Sequence, residues 1–189
     1  MTERCGWVGH EEIYIAYHDE EWGVPEHDSR ALWEKLILDG FQAGLSWITI
    51  LKKRENFRKS FLGFDPDIIA NWGDTEVACL LADSGIIRHR GKIEATIGNA
   101  RAWQRIETEQ GFERYLWDHV GGRPIQNRWQ SLAEVPAQTD LSIKISKALK
   151  KKGFKFCGPT IVYAFMQAVG MVNDHLVGCP CYERVARLG

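Results

Sequence analysis

KALKKKGFKFCGPTIVYAFMQAVGMVNDHLVGCPC, residues 147–181, is the stretch on which the fold reading turns. Helical spacing over Leu141 to Lys152 and again over Pro159 to Val169 is broken by a tight turn bracketed by Gly153 and Gly158, and Gly170 ends the second run. The pattern predicts two helices joined by a hairpin. Glycines let such a turn approach a partner closely, and the helix that follows opens with free amides suited to a phosphate. Pro159 fits the first helical position, which needs no amide donor. Lys144, Lys147, Lys150, Lys151, Lys152 and Lys155 surround the turn, so a polyanion is the expected partner.

Working outward, 189 residues at 44% hydrophobic content are enough for a full core. The net charge of −1 points to no partner, but its distribution does. Glu11, Glu12, Asp19, Glu20, Glu21, Glu26 and Asp28 crowd the front, whereas basic residues gather at 52–59, 88–92 and 144–155. Any one basic cluster is commonly a solvated helix face; three beside a hairpin favour nucleic acid. No membrane-length apolar run or signal peptide is evident, which predicts a cytoplasmic protein without a membrane partner. Five cysteines, an odd count, argue against a disulfide framework.

The remainder reads as nearly all helix, an all-α chain forming a single domain over 1–189. Residues 1–27 look irregular. Asp28 can cap a helix with Leu32, Trp33, Leu36 and Ile37 on its apolar stripe, stopped by Gly40. After a loop over 41–45, Ser46 can cap a second, with Trp47, Ile50, Leu51, Phe57 and Phe61 inward. Asp65-Pro66 opens a short helix, and Val77, Leu80 and Leu81 mark another. Ile93, Ile97, Ala100, Trp103 and Ile106 form a long stripe from Arg90 to Gly111. Residues 121–139 read as a connection, and no strand pairing is expected.

Two constellations carry chemistry. Cys5 and His18 near one end, with His175 and Cys179 near the other, form a thiolate and imidazole set suited to four-coordinate zinc. From spacing alone the same residues also read as buried thiols and ordinary histidines, and Cys181 competes as a ligand. A site with four protein ligands leaves no open position, so such a zinc would be structural. The second constellation joins Asp39, the loop Gln42 to Leu45 and Trp47 with Trp7, Tyr14, Tyr17 and Trp22, in a chain holding eight tryptophans. Trp33 and Trp103 fall on core stripes. Trp47 beside Gly44 can expose a ring face, and Asp39 opposes the dipole at the end of its helix. A carboxylate so placed among aromatic rings suggests a pocket for an electron-poor ring.

The blocks CGW (5–7), AYHDEEWG (16–23), FQAGLSWITILKKRENF (41–57), IIRHRGKI (86–93), KGFKFCGPT (152–160) and NDHLVGC (173–179) resemble the DNA-3-methyladenine glycosylase I family over essentially the whole chain. The resemblance implies an all-helical, helix-hairpin-helix DNA glycosylase, its hairpin unit at 141–170, acting in base excision repair on duplex DNA that contains 3-methyladenine. It further implies one structural zinc held by Cys5, His18, His175 and Cys179, tying segment 5–18 to segment 175–179. By matched position, Tyr17 and Trp47 stack on or edge the extruded base and Trp7, Tyr14 and Trp22 shape its pocket. The family's base-recognising glutamate is replaced here by Asp39, one methylene shorter. The hairpin, with Lys152, Gly153, Lys155, Gly158 and Thr160, holds phosphates, and Gln42, Gly44 and Leu45 form a wedge. Where related enzymes carry an aspartate after the hairpin, this chain has Asn173 followed by Asp174.

N3 methylation makes the adenine ring cationic, which weakens its glycosidic bond and lets it leave neutral. Aromatic faces attract such a ring by roughly 0.5–2 kcal/mol each. The expected reaction is hydrolysis to an abasic site without strand cleavage, by a monomer. Two other classes stay open at this level: a silent binder of damaged DNA or free base, and a zinc-stapled module that binds protein through its acidic front.

Overall fold

A computed structural model describes residues 3–189; Met1 and Thr2, the first two of the unit expected over 1–189, lie outside the described residues. Ten α-helices occur among the described residues, with one pair of two-residue strands. α1 (Glu12–Ala16) runs straight into a π turn over Tyr17–Glu21, so part of the front expected to be irregular is helical. That turn sends the Tyr17 and His18 side chains inward, where both are buried.

α2 (Ser29–Gln42) starts where Asp28 accepts the amides of Arg30 and Ala31 at 3.0 and 2.8 Å. Its stripe of Leu32, Trp33, Leu36 and Ile37 is buried as the spacing predicts. Gly40 does not stop it. The helix continues to Gln42, and a Cβ at residue 40 would lie 3.1 Å from the Phe156 carbonyl oxygen, so this glycine serves close packing against the hairpin. In α3 (Trp47–Ser60), Ile50, Leu51 and Phe57 face inward, but the Ser46 hydroxyl bonds the Thr49 hydroxyl at 2.8 Å rather than capping an amide. Asp65 does cap α4 (Pro66–Ile69). α5 (Asp74–Ala82) and the long α6 (Arg90–Gln110) follow, with Ile93, Ile97, Ala100, Trp103 and Ile106 all buried, then α7 (Phe112–Trp117).

The connection 121–139 contains a feature the sequence does not announce. β1 (Ile125–Gln126) pairs in parallel with β2 (Val172–Asn173), Ile125 opposite Val172 and Gln126 opposite Asn173. Two residues a side are too few to show alternation, which is why periodicity misses them. The pairing holds Asn127 and Trp129 over the segment that carries Asp174 and His175.

α8 (Asp140–Lys151) and α9 (Pro159–Ala168) pack on each other across the turn 152–158, and α9 also packs on α2. α9 is apolar nearly all round because it is enclosed, with Val162, Tyr163, Phe165 and Met166 buried. Past its end, the Ala168 and Val169 carbonyls accept the Gly23 and Glu26 amides at 3.4 and 3.1 Å. Gly170 has φ +72°, and a Cβ there would sit 2.5 Å from Pro25 N and Val24 C. Only glycine permits that approach, which docks the front segment on the back one. α10 (Pro180–Ala186) closes the chain. No helix among the described residues is long and apolar enough to cross a membrane.

Candidate active site

Where the front segment crosses α2, α3 and α9, a cavity of about 180 Å³ opens. All five aromatic residues singled out from the sequence line it. Trp7 and Tyr14 form one wall with ring centres 5.1 Å apart, Trp22 lies 5.0 Å from Trp7, and Tyr17 and Trp47 make the opposite side at 5.4 Å. Tyr17, Trp22 and Trp47 are buried, each with a face on the cavity, while Trp7 and Tyr14 are half-buried.

Asp39 reaches the same cavity from α2 and is 2% exposed. Its Oδ1 accepts from Lys35 Nζ at 2.8 Å, whereas its Oδ2 is buried without a partner. Trp47 Nε1 is likewise a buried donor with nothing to bond. Buried polar atoms are rarely left unpaired, since each such group costs about 1–3 kcal/mol. An acceptor and a donor are thus left open on one aromatic pocket, an arrangement that can bond a polar-edged ring. Burial raises the Asp39 carboxyl above its usual range while Lys35 opposes the rise. Burial lowers Lys35, and Asp39 partly restores it.

Lys35 is a site residue that sequence reasoning missed. Its Nζ lies 3.4 Å from the Trp47 ring centre and 5.7 Å from that of Tyr17. The signal was present: Lys35 and Asp39 are four apart on one helix, so they share a face. Asp174 also lines the cavity but is saturated. Asn127 Nδ2 and Tyr163 OH donate to it at 2.6 Å, and Trp129 Nε1 and Gln167 Nε2 at 2.8 Å.

Outside the cavity mouth, a shallower hollow of about 360 Å³ brings Asp39, Gln42, Gly44 and Leu45 together with Thr160 and Ile161 at the start of α9. The loop there is pinned from below. Lys92 is buried and its Nζ donates to the Phe41 and Ala43 carbonyls at 2.8 and 2.7 Å, a role hidden inside the block IIRHRGKI. Gly44 takes φ +81° and Leu45 stands 41% exposed above it. The hairpin is strapped to α6 by Asn99, whose side chain exchanges hydrogen bonds with the Lys155 backbone at 2.8 and 3.1 Å. Gly153 uses its freedom, at φ +103°, beside Arg105, which donates to the Lys152 carbonyl at 2.9 Å. Gly158 does not, since its φ is −63°; what it offers is open space where a side chain would stand. Lys152 pairs with Glu109 on α6, whereas Lys144, Lys147, Lys150, Lys151 and Lys155 are exposed.

Cys5, His18, His175 and Cys179 are all buried, and their donor atoms lie within 4.8 Å of one another. Cys179 Sγ is 3.6 Å from His18 Nε2 and 3.7 Å from His175 Nδ1, and Cys5 Sγ is 3.8 Å from the same His175 Nδ1. A tetrahedral zinc at ordinary bond lengths sets sulfur and nitrogen about 3.5 Å apart, so the donor set fits the metal. The outward nitrogens are fixed too. His18 Nδ1 is 2.7 Å from Asp19 Oδ1, and His175 Nε2 is 3.0 Å from the Trp22 carbonyl, the supporting contacts that metal-bound imidazoles need. Cys181 Sγ comes no closer to His18 than 4.0 Å, at the nitrogen already facing Asp19. The Trp22 ring packs edge-on to His175 at 4.7 Å and the Trp7 ring to His18 at 5.3 Å, so this cluster backs the aromatic wall.

Fold and site together define a helical protein with an aromatic pocket, carrying unpaired polar atoms, beside a lysine-rich hairpin. A family model described as Methyladenine glycosylase matches residues 7–182. The chain is 56% identical over 181 residues to DNA-3-methyladenine glycosylase 1 of Escherichia coli (strain K12), covering 95% of this chain and 97% of that one. It is 51% identical over 182 residues to DNA-3-methyladenine glycosylase of Haemophilus influenzae, covering 96% and 98%. Among solved structures it superposes, at a TM-score of 0.92 and 36% identity over 96% of this chain and 98% of the other, on a variant of 3-methyladenine DNA glycosylase I in complex with 3-methyladenine. The chain belongs to the methyladenine glycosylase family. It is thereby an enzyme of DNA repair, a glycosylase for alkylated bases.

Proposed function

We propose that the protein flips 3-methyladenine out of duplex DNA into the aromatic cavity and hydrolyses its glycosidic bond, leaving an abasic site. The observation that carries this is the pair of unpartnered polar atoms, Asp39 Oδ2 and Trp47 Nε1, on a cavity lined by five aromatic rings. The electron-rich faces attract the cationic ring, and the free Asp39 oxygen accepts from its exocyclic amine. Asp39 has that oxygen to offer while Lys35 occupies its other one.

The bond from C1′ to the base nitrogen breaks with its electron pair moving into the base, whose positive charge is thereby cancelled. Water oxygen then bonds C1′ and its proton passes to solvent. Little acid catalysis is needed, so the protein's task is extrusion and selection. Leu45 and Gln42 occupy the gap in the stack, the α9 amides and exposed lysines of the hairpin hold phosphates, and flipping costs a few kcal/mol that these contacts offset. The pocket does hold a lysine: burial lowers the Lys35 ammonium below its usual range while its ion pair with Asp39 opposes the fall, so strand integrity after base release is what separates a monofunctional enzyme from a lyase. Cys5, His18, His175 and Cys179 would hold one structural zinc per chain, which would tie the two chain ends and keep Trp7 and Trp22 in place. The unit is one domain acting as a monomer in the cytoplasm.

The test is to incubate the protein with methylated duplex DNA, chromatograph the released bases and run the strand on a denaturing gel. Free 3-methyladenine above the spontaneous rate, with an intact strand until alkali is added, is expected. No release refutes the reading.

A further inference from the structure

Lys35 stands where the substrate's charge must go. Its ammonium holds Asp39 at 2.8 Å and covers the Trp47 face at 3.4 Å, the two interactions a cationic purine needs from this pocket. Two cations cannot share one carboxylate and one ring face in a buried site. Lys35 must therefore leave when the base enters, and the structure offers it a destination. The same side chain lines a second cavity of about 270 Å³, where Glu20, Glu21, Glu26 and Glu34 meet Arg54, paired with Glu21, and Arg58, paired with Glu34, so that four carboxylates against two guanidinium groups leave it acidic on balance. Lys35, with Tyr17 and Ala168, thus lines both an aromatic chamber and an acidic one, and it alone of the three carries a charge on a flexible four-carbon stem.

We propose that Lys35 is a specificity-determining residue that makes the pocket exchange one cation for another, admitting charged bases and expelling neutral ones. The idea rests on the glycosylase reading above. Asp39 is almost fully enclosed, so taking its ammonium away leaves a buried carboxylate uncompensated unless the newcomer is itself positive. A cationic 3-methyladenine meets that condition. Unmodified adenine, of nearly the same shape, fails it and also finds the Trp47 face covered. Once the glycosidic bond breaks, the departing base is neutral and loses its claim on Asp39. The ammonium swings back from the acidic cavity and drives the product out. Selection against normal adenine and product release follow from a single side chain.

Lys35→Met removes the charge at similar length, and Lys35→Arg keeps it. Excision from methylated duplex is measured for wild type and both variants, with free adenine and free 3-methyladenine added as inhibitors at a pH where both are neutral. The methionine variant should be inhibited about tenfold more strongly by both, the order of one desolvated cation–π contact, while the arginine variant stays weakly inhibited. A residue that only supported the fold would lower thermal stability without changing inhibition relative to excision. Wild-type excision with unchanged inhibition in Lys35→Met overturns the exchange role alone, whereas absence of excision by wild type overturns the glycosylase reading. A second measurement does not depend on the variants folding. In wild type bound to duplex carrying 3-methyladenine on a 2′-fluorinated sugar, which slows cleavage, Lys35 Nζ should lie in the acidic cavity; if it still sits on Asp39, the proposal fails.

Discussion

Asp39 and Asp174 line the same cavity with opposite hydrogen-bond inventories: Asp39 keeps one oxygen unpartnered, while Asp174 accepts from four separate side chains. Both are 2% exposed, so burial does not separate them. What differs is whether the fold has already used the acceptor. Asp39 keeps an acceptor open, and Asp174 ties the segments that follow β1 and β2 to α9.

Substitution should separate the two roles. Asp39→Asn removes a charged acceptor and should cut excision about 10- to 100-fold, from the roughly 1.5–3 kcal/mol of a charge-assisted hydrogen bond. Asp174→Asn leaves buried donors short of a partner, so its main effect should be on stability, a loss of about 2–4 kcal/mol seen as a lower Tm. Steady-state excision beside thermal denaturation checks both. Equal loss of activity at unchanged Tm in the two variants would contradict the assignment.

The wedge makes a different demand. Leu45 is exposed above a loop that Lys92 pins through two carbonyls, so its apolar side chain is held out at a cost in solvation that nothing in the free protein offsets. Leu45→Ala should slow excision from a fully paired duplex about tenfold and should slow it much less when the lesion faces a mismatch, where unstacking is cheaper. Lys92→Met should reproduce the defect without touching DNA, because it frees the loop. Comparable rates on paired and mismatched substrate for Leu45→Ala would remove it from the wedge.

Much of this was legible in the sequence, and the exceptions share a cause. The long stripes of α2 and α6, the capped start of α2 and the two helices around the 152–158 turn follow from local rules of periodicity and capping. Spacing alone leaves Cys5, His18, His175 and Cys179 open between ligands and buried thiols, and it is the fold that brings the four together. Lys35 and Lys92 escape a sequence reading because a lone charged residue on a helix normally faces water, and only the tertiary fold shows it turned inward; Asp174 is visible beside Asn173, but only the fold shows the four donors that occupy it. Gly40 was misread as a stop because its reason for being glycine, the Phe156 carbonyl, lies far away in sequence. The π turn at Tyr17–Glu21 and the short strand pair leave no periodic trace at all.

Phosphate contacts should show themselves through salt. Lys155 is exposed at the hairpin, while its backbone is clamped by Asn99, so removing its side chain leaves the turn in place. Lys155→Ala should weaken binding to any duplex, damaged or not, and reduce the slope of log affinity against log salt by about 1. Lys152→Ala should change that slope less, because its ammonium is paired with Glu109. Fluorescence anisotropy over a salt series measures both. A larger slope change for Lys152 than for Lys155 would move the phosphate path toward α6.

Metal removal tests how the cluster supports the pocket. Cys179 contacts both imidazoles at ligand-like separations, whereas Cys181 approaches only the His18 nitrogen already engaged by Asp19. Cys179→Ser should therefore abolish the zinc binding proposed for this cluster and lower Tm, while Cys181→Ser keeps it. Chelation of the wild type should loosen the front segment first, because Trp22 and Trp7 pack edge-on against His175 and His18. The expected sequence is a change in tryptophan fluorescence and loss of excision before the helical circular dichroism falls, with zinc followed by atomic absorption. Full zinc content in Cys179→Ser, or unaltered fluorescence on chelation, would uncouple the metal from the aromatic wall.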